Sequence, residues 1–193
     1  MQLVFATANK NKAIEVEKLL PAEFDILTLT EVNIREEVPE TSPTIEGNAL
    51  QKARYVYAKS GINCFADDTG LEVEALSGEP GVYSARYAGE KKDPQANMNK
   101  LLLKLESQDN RKARFKTIIA LIIEGREHLF EGIIDGQIAR TQKGSKGFGY
   151  DPVFIPEGQD KTFGEMELEE KNLHSHRARA VKKLIAFLNN LAQ

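Results

Sequence analysis

Tryptophan is absent from the chain, and cysteine occurs once, at Cys64. A single thiol allows no intrachain disulfide, so packing and hydrogen bonds must hold the fold, as in a protein kept in a reducing compartment. Cys64 lies in the apolar stretch NCFA, where a buried, inert thiol is expected rather than a nucleophile. Long apolar runs are missing too. The longest, Ile118–Ile123 (IIALII), falls far short of the ~20 residues of a membrane-spanning helix. The opening MQLVFATANK has no basic segment followed by an apolar core, so no signal peptide and no membrane partner are expected, and the predicted location is cytoplasmic. Nor is there an excess of positive charge: 26 Lys and Arg against 29 Asp and Glu leave a net charge of -3. That balance argues against a nucleic-acid partner, since sequence-independent binding relies on many phosphate contacts. No repeat, low-complexity tract or linker interrupts the 193 residues, a length that suits a single domain, 1–193.

What is present reads as an α/β fold. Gln2–Ala6 has the look of a buried strand. Lys12–Leu20 carries Ile14, Val16, Leu19 and Leu20 at roughly helical spacing before Pro21, and Phe24–Leu29 is a second strand. Arg35–Thr44 (REEVPETSPT) is an acidic, proline-bearing loop, and Gly47–Ser60 is a helix stopped by Gly61. Asn63–Ala66 is predicted as a short strand that exits into Asp67-Asp68, with Leu71–Leu76 as a separate strand beyond. Asp93–Leu105 reads as a helix with proline in its first turn, and Phe115–Ile123 and His128–Ile138 as a hairpin through Glu124-Gly125-Arg126. Val153–Ile155 is a further strand, and His176–Leu191 a closing helix with Ala180, Val181, Leu184, Ile185 and Leu188 along one side. A mixed central sheet flanked by helices accommodates this order most economically.

Several groups could carry chemistry. Adjacent carboxylates such as Asp67 and Asp68 repel unless a proton or cation lies between them, so the pair is either a hard-oxygen metal site or a turn accepting local backbone hydrogen bonds. Glu40 is a third carboxylate, in the extended loop. FATANKNK (5–12) places Lys10 and Lys12 where the first strand passes into the first helix, although glycine, the usual residue of a phosphate cradle, is missing. Asn48 and Lys52 are four apart and share a helix face. Arg86 follows a tight turn, and Lys171, His176 and Arg177 bracket the start of the last helix, where Ser175 could serve as a cap. The loop Lys143–Asp151 (KGSKGFGYD) alternates glycines with Phe148 and Tyr150. It is either a close-approach loop offering an aromatic face to a base or a hinge whose rings anchor in the core.

The ordered series FATANKNK, EVPETSPTIEGNALQKAR, FADDTGLEVEAL, GEPGVYSARYAG, KGFGYDPVF and LEEKNLHSHRARA is similar to the inosine triphosphate pyrophosphatase family nearly end to end, and closest to its bacterial members. The resemblance implies an ITPase-like α/β fold with a cleft between two lobes and a homodimer. The implied activity is Mg2+-dependent hydrolysis of non-standard purine nucleoside triphosphates to the monophosphate and pyrophosphate, which keeps the nucleotide pool free of bases that miscode. Residue by residue, Thr7, Ala8, Asn9, Lys10, Asn11 and Lys12 resemble the triphosphate-contacting segment, and Lys52 a phosphate-binding lysine. Glu40 and Asp68 match the metal ligands, Asp68 also the proton acceptor, with Asp67 its catalytic neighbour. Thr69 stands where a Ser or Thr meets substrate. Phe148, Gly149, Tyr150 and Asp151 match the nucleotide-contacting loop, with Lys171, His176 and Arg177 completing the base pocket. The chain departs from the family pattern at Ala8, where glycine is usual, and at Gly47, where glutamate is common.

Rival expectations are a pyrophosphatase for modified pyrimidine triphosphates and a non-catalytic nucleotide sensor. The carboxylate set Glu40, Asp67 and Asp68 argues against a pure binder, which needs no water-activating base.

Overall fold

In a computed structural model of the chain, which describes residues 1–191, the strands are β1 (Gln2–Phe5), β2 (Asp25–Leu27), β3 (Cys64–Val73), β4 (Pro80–Gly81), β5 (Lys112–Ile123), β6 (Arg126–Ile138) and β7 (Phe154–Pro156). The helices are α1 (Lys10–Glu17), α2 (Ile45–Ser60), α3 (Pro94–Lys104), α4 (Leu168–His174) and α5 (His176–Leu191). The sheet is mixed, in the order β2-β1-β3-β5-β6-β7, with β4 paired to β3 off that path. β1 runs parallel to both β2 and β3, whereas β3 with β4 and β6 with β7 are antiparallel. Among the described residues, no helix is long and apolar enough to cross a membrane.

The chain divides into two compact units. The first comprises Met1–Asp68, Thr117–Gly132 and the segment from Arg177 onward, and the second Thr69–Lys116 and Ile133–His176. In the first unit, Leu3, Phe5 and Phe65 of the parallel strands and Ile119, Leu121 and Ile123 of β5 pack with Ala180, Val181, Leu184 and Leu188 of α5. The last four recur at helical spacing, and each leucine so buried contributes roughly 1.5–3 kcal/mol. In the second unit, Phe115, Phe154 and Phe163 form the aromatic centre of a core with Leu71, Val73, Leu101, Leu105 and Tyr150.

Local chemistry explains the boundaries. α1 begins at Lys10, two residues before the predicted helix, because the Asn9 side chain accepts from the N–H groups of Asn11 and Lys12. Thr44 caps α2 in the same way, and Gly61 at φ +69° closes it. Glu124 and Gly125 both take positive φ, as a tight hairpin between β5 and β6 demands. One expectation fails and one helix is new. Residues 63–66 and 71–76 do not form separate strands; one continuous β3 carries Asp67, Asp68, Thr69 and Gly70 in its middle. Asp and Gly are poor strand residues in general, but charged partners compensate the two carboxylates here. α4 was not foreseen, because LEEKNLH has too little apolar periodicity to announce a helix.

Candidate active site

Successive residues of a strand point to opposite faces, so Asp67 and Asp68 enter different surroundings. Asp67 is 1% exposed. One of its oxygens accepts from the Lys12 ammonium at 3.0 Å and the other from Nε of Arg177 at 3.1 Å. Arg177 is itself buried and donates through Nη1 to Glu15 on α1. Burial alone would favour the neutral acid, but Lys12, Arg177 and Lys52 outweigh it and hold the Asp67 carboxyl well below its ordinary range. Burial lowers the proton affinity of Lys12; Asp67 opposes this, but repulsion from Lys52 and Arg177 keeps the net direction downward. Burial also works against the Arg177 charge, yet Asp67 and Glu15 raise its affinity on balance. Asp67 is thus a fixed anion inside a buried ion network.

Asp68 is 8% exposed and shares the Lys52 ammonium with Glu40: Lys52 Nζ donates to Glu40 Oε1 at 2.5 Å and to Asp68 Oδ1 at 3.3 Å. Burial raises the proton affinity of Asp68. Lys52 and Lys12 pull it down, while Glu40 and Asp67 push it up, and the net direction is upward. Burial disfavours the Lys52 charge, but Asp68, Glu40 and Asp67 raise its proton affinity on balance. Two adjacent carboxylates whose surroundings drive their proton affinities apart are the pattern of an acid–base site, and Asp68 is the one suited to take a proton.

The same cluster bears on magnesium. Among the described residues, no group of three or more His, Cys, Asp or Glu is arranged as a ready metal cage. Mg2+, however, is commonly held by one or two carboxylates with waters and substrate phosphates supplying the rest. Glu40 and Asp68 offer hard oxygens converging on one cation, the Lys52 ammonium, and burial leaves the charged form of Asp68 only partly compensated. That donor set fits the ion.

The other expected phosphate contacts surround the start of α1. Thr7 is half-buried and its hydroxyl accepts from the Asn9 N–H at 3.2 Å, while Ala8, Asn9, Lys10 and Asn11 are exposed. Ala8 is not among the residues with positive φ, so alanine stands in for glycine there without backbone strain.

The second unit holds the nucleotide-loop residues. Asp151 is buried and accepts on Oδ2 from the Phe148 N–H at 2.8 Å and from Lys171 Nζ at 2.5 Å. The Lys171 ammonium lies 4.9 Å from the centre of the half-buried Phe148 ring. Gly147, at φ +71°, leaves room for this carboxylate, for a Cβ there would sit 2.0 Å from Asp151 Oδ2. Tyr150 is buried, donates to the Ser84 carbonyl at 2.8 Å and has its phenol affinity raised by burial. The two aromatic residues therefore divide the alternatives: Tyr150 anchors the loop, and Phe148 is the ring with an accessible side. Gly149 takes φ +62°, and Thr69 is half-buried on β3. His176 stacks on Phe115 with ring centres 4.6 Å apart. Arg177, which the resemblance implies for the base pocket with it, is bonded to Asp67 and Glu15.

Glu15 is the network residue the sequence reading missed. Its signal was a single acid three residues after Lys12, and so on the same helix face, next to the apolar Val16. Cys64 is buried, donates to the Ala53 carbonyl, and has its thiol pushed up to about 12, chiefly by burial, as an inert thiol requires.

A model of the Ham1 family matches residues 3–187. The chain is 57% identical to the dITP/XTP pyrophosphatase of Flavobacterium johnsoniae, over 97% of this chain and 98% of that one. It is 44% identical to the dITP/XTP pyrophosphatase of Bacillus subtilis, over 97% and 96%. Among solved structures, the Staphylococcus aureus Ham1 protein superposes with a TM-score of 0.89 at 38% identity, covering 98% of this chain and 99% of that one. A HAM1 protein from Coxiella burnetii gives 0.90 at 35%, with the same coverage. These matches bear out the resemblance and the fold class read from the motifs.

Proposed function

The chain belongs to the Ham1 family, and on that premise we propose that it hydrolyses non-standard purine nucleoside triphosphates (dITP, ITP, XTP and dXTP) to the monophosphate and pyrophosphate. The observation that carries the mechanism is the divergence of Asp67 and Asp68. Asp67 is fixed as an anion between Lys12 and Arg177, while Asp68 has its proton affinity raised beside Glu40.

In this reading Asp68 orients a water and takes its proton as the water oxygen bonds to the α-phosphorus. The bond between that phosphorus and the α–β bridging oxygen breaks, and its electron pair leaves on pyrophosphate. Lys12 and Lys52 hold positive charge where the departing group becomes more negative, the electrostatic contribution that dominates such transfers. Glu40 and Asp68 would hold Mg2+, which when bound neutralises phosphate charge and polarises the phosphoryl group. Thr7 to Lys12 supply the start of α1 and its cations for the phosphates.

For the base, the reading relies on Phe148, Lys171 and Asp151. The Phe148 ring offers a stacking face, and the Lys171 ammonium, oriented by Asp151, is a donor suited to the 6-oxo group of hypoxanthine or xanthine. Adenine presents a 6-amino donor there and would leave the ammonium facing another donor, a mismatch that polar sites penalise strongly. A homodimer, resting on the family resemblance, and a cytoplasmic location, in keeping with the single thiol, complete the proposal.

The test is pyrophosphate release from dITP, ITP and XTP beside ATP, GTP, dUTP and dTTP, with and without Mg2+. Rapid hydrolysis confined to the non-standard purines and abolished by EDTA is expected. Comparable turnover of ATP and ITP, or a preference for dUTP, would overturn the substrate class. Light scattering of the purified chain reads the dimer directly.

A further inference from the structure

Three consecutive loop residues, Glu40, Thr41 and Ser42, are each held by a different side chain of α2. Lys52 takes the Glu40 carboxylate. Gln51 makes a reciprocal pair with Thr41, its Oε1 accepting from the Thr41 N–H and its Nε2 donating to the Thr41 hydroxyl, both at 2.9 Å. Asn48, 2% exposed, accepts on Oδ1 from the Ser42 N–H at 2.9 Å and donates through Nδ2 to Asp68 Oδ2 at 3.4 Å. The backbone N–H of Ser42 can only donate, which fixes the amide orientation and turns the NH2 end toward Asp68.

Gly47 makes this approach possible. A Cβ on Gly47 would lie 1.9 Å from Ser42 Oγ and 2.8 Å from Ser42 Cβ, and the second atom cannot rotate out of the way. The glutamate common at this position in the family would therefore displace Ser42 from its present place against the helix. The departure read from the sequence at residue 47 goes with a loop seated closely on α2.

We propose that Asn48, seated by Gly47, is a positioning residue that sets the rotation of the Asp68 carboxylate and ties it to the loop bearing Glu40. The terminal torsion of an aspartate is broad and soft, so its plane swings unless both oxygens are engaged. Lys52 engages Oδ1 and Asn48 engages Oδ2. A neutral amide orients that oxygen with less cost to its basicity than a second ammonium would impose, because charge-assisted bonds stabilise the carboxylate far more. Through Ser42, the same amide transmits the carboxylate's position to a segment two residues from Glu40.

The inference rests on the pyrophosphatase reading only for its kinetic half. Two variants of the full chain separate the two ends of the amide. Asn48→Asp keeps an acceptor for the Ser42 N–H but removes the donor to Asp68; Asn48→Leu removes both. In Asn48→Asp, kcat for ITP falls by about 10- to 100-fold, the scale of a misplaced catalytic group, while KM stays within about threefold. Its Ser42 amide keeps wild-type protection against hydrogen exchange. In Asn48→Leu, kcat falls similarly and the Ser42 amide exchanges faster. A folded Asn48→Asp enzyme with wild-type kcat overturns the role at Asp68, and unchanged Ser42 protection in Asn48→Leu overturns the seat. Should the leucine variant fail to fold, the aspartate variant alone decides. If the wild-type chain releases no pyrophosphate from ITP, it is the reaction that is wrong, and Ser42 exchange still decides the seat.

Discussion

Asp67 and Asp68 share a strand, a residue type and a peptide bond, yet burial affects them with opposite outcomes. Both lose solvent. Asp67 regains more than it loses from Lys12 and Arg177, and Arg177 extends its network to Glu15. Asp68 divides one ammonium with Glu40, whose side chain is 35% exposed, and it feels Asp67 as a repulsive neighbour. Proton affinity in this pair follows from how many cations serve each anion. A carboxylate bonded to two cations serves the fold, and one that divides a single ammonium with another acid has the raised proton affinity on which the proposed reaction draws.

The largest effect that would break this contrast comes from Arg177. Replacing it with methionine strips Asp67 and Glu15 of their shared buried cation, and removing one partner of a buried ion group costs about 3–5 kcal/mol. Urea denaturation should show that loss as a lower midpoint. A variant as stable as the wild type would mean that Asp67 is not dependent on its cations.

Next is Asp68→Asn, which should lower kcat by about 100-fold or more, equivalent to about 2.7 kcal/mol of barrier, with little change in thermal midpoint. Asp67→Asn should do the reverse: it leaves Lys12 and Arg177 inside without their anion, so stability falls more than turnover. If Asp67→Asn abolished turnover in a fully stable protein while Asp68→Asn did not, the two roles would be exchanged.

How far the sequence reveals this contrast depends on distance along the chain. The β-α-β opening, the hairpin and the last helix all follow from local periodicity and turn chemistry, which a short window contains. Asp67-Asp68 was read as the exit of a strand because acidic residues and glycine disfavour the strand interior. What compensates Asp67 in mid-strand is Lys12 and Arg177, 55 and 110 positions away, and Asp68 has Lys52, 16 away. Glu15 and the amide of Asn48 stayed unassigned for the same reason, their partners Arg177 and Asp68 being remote in sequence. The resemblance implies a metal ligand at Glu40 and a phosphate contact at Lys52 but not their pairing, since no spacing rule joins a loop acid to a lysine 12 residues on.

Gly47→Ala sharpens the open side of the comparison with a smaller effect. In a helix interior alanine is favoured over glycine by up to about 1 kcal/mol, and less in a first turn. Propensity alone therefore predicts a slightly more stable protein. The contact with Ser42 predicts that the loop moves, with kcat falling severalfold at nearly constant melting temperature. A stabilised variant of unchanged kcat would show that the loop yields without consequence for Glu40 and Asp68.

The smallest effect belongs to Glu36, a third kind of carboxylate at the far end of the same loop. The Tyr55 hydroxyl donates to it at 2.7 Å, and its own backbone and Lys59 add to the pull, lowering its proton affinity to about 2. It lies in solvent, so this lowering comes from hydrogen bonds rather than from buried charge, and screening keeps its contribution small. The sign still follows from linkage. A carboxyl lowered in the folded state adds stability above its ordinary value of 4.5, and that stability is lost as pH falls through about 2. Glu36→Gln should therefore melt slightly below the wild type at neutral pH, and the gap should close between pH 4.5 and 2. A gap that widened on acidification would mean that Glu36 gains, rather than loses, proton affinity on folding, which would put it with Asp68 rather than Asp67.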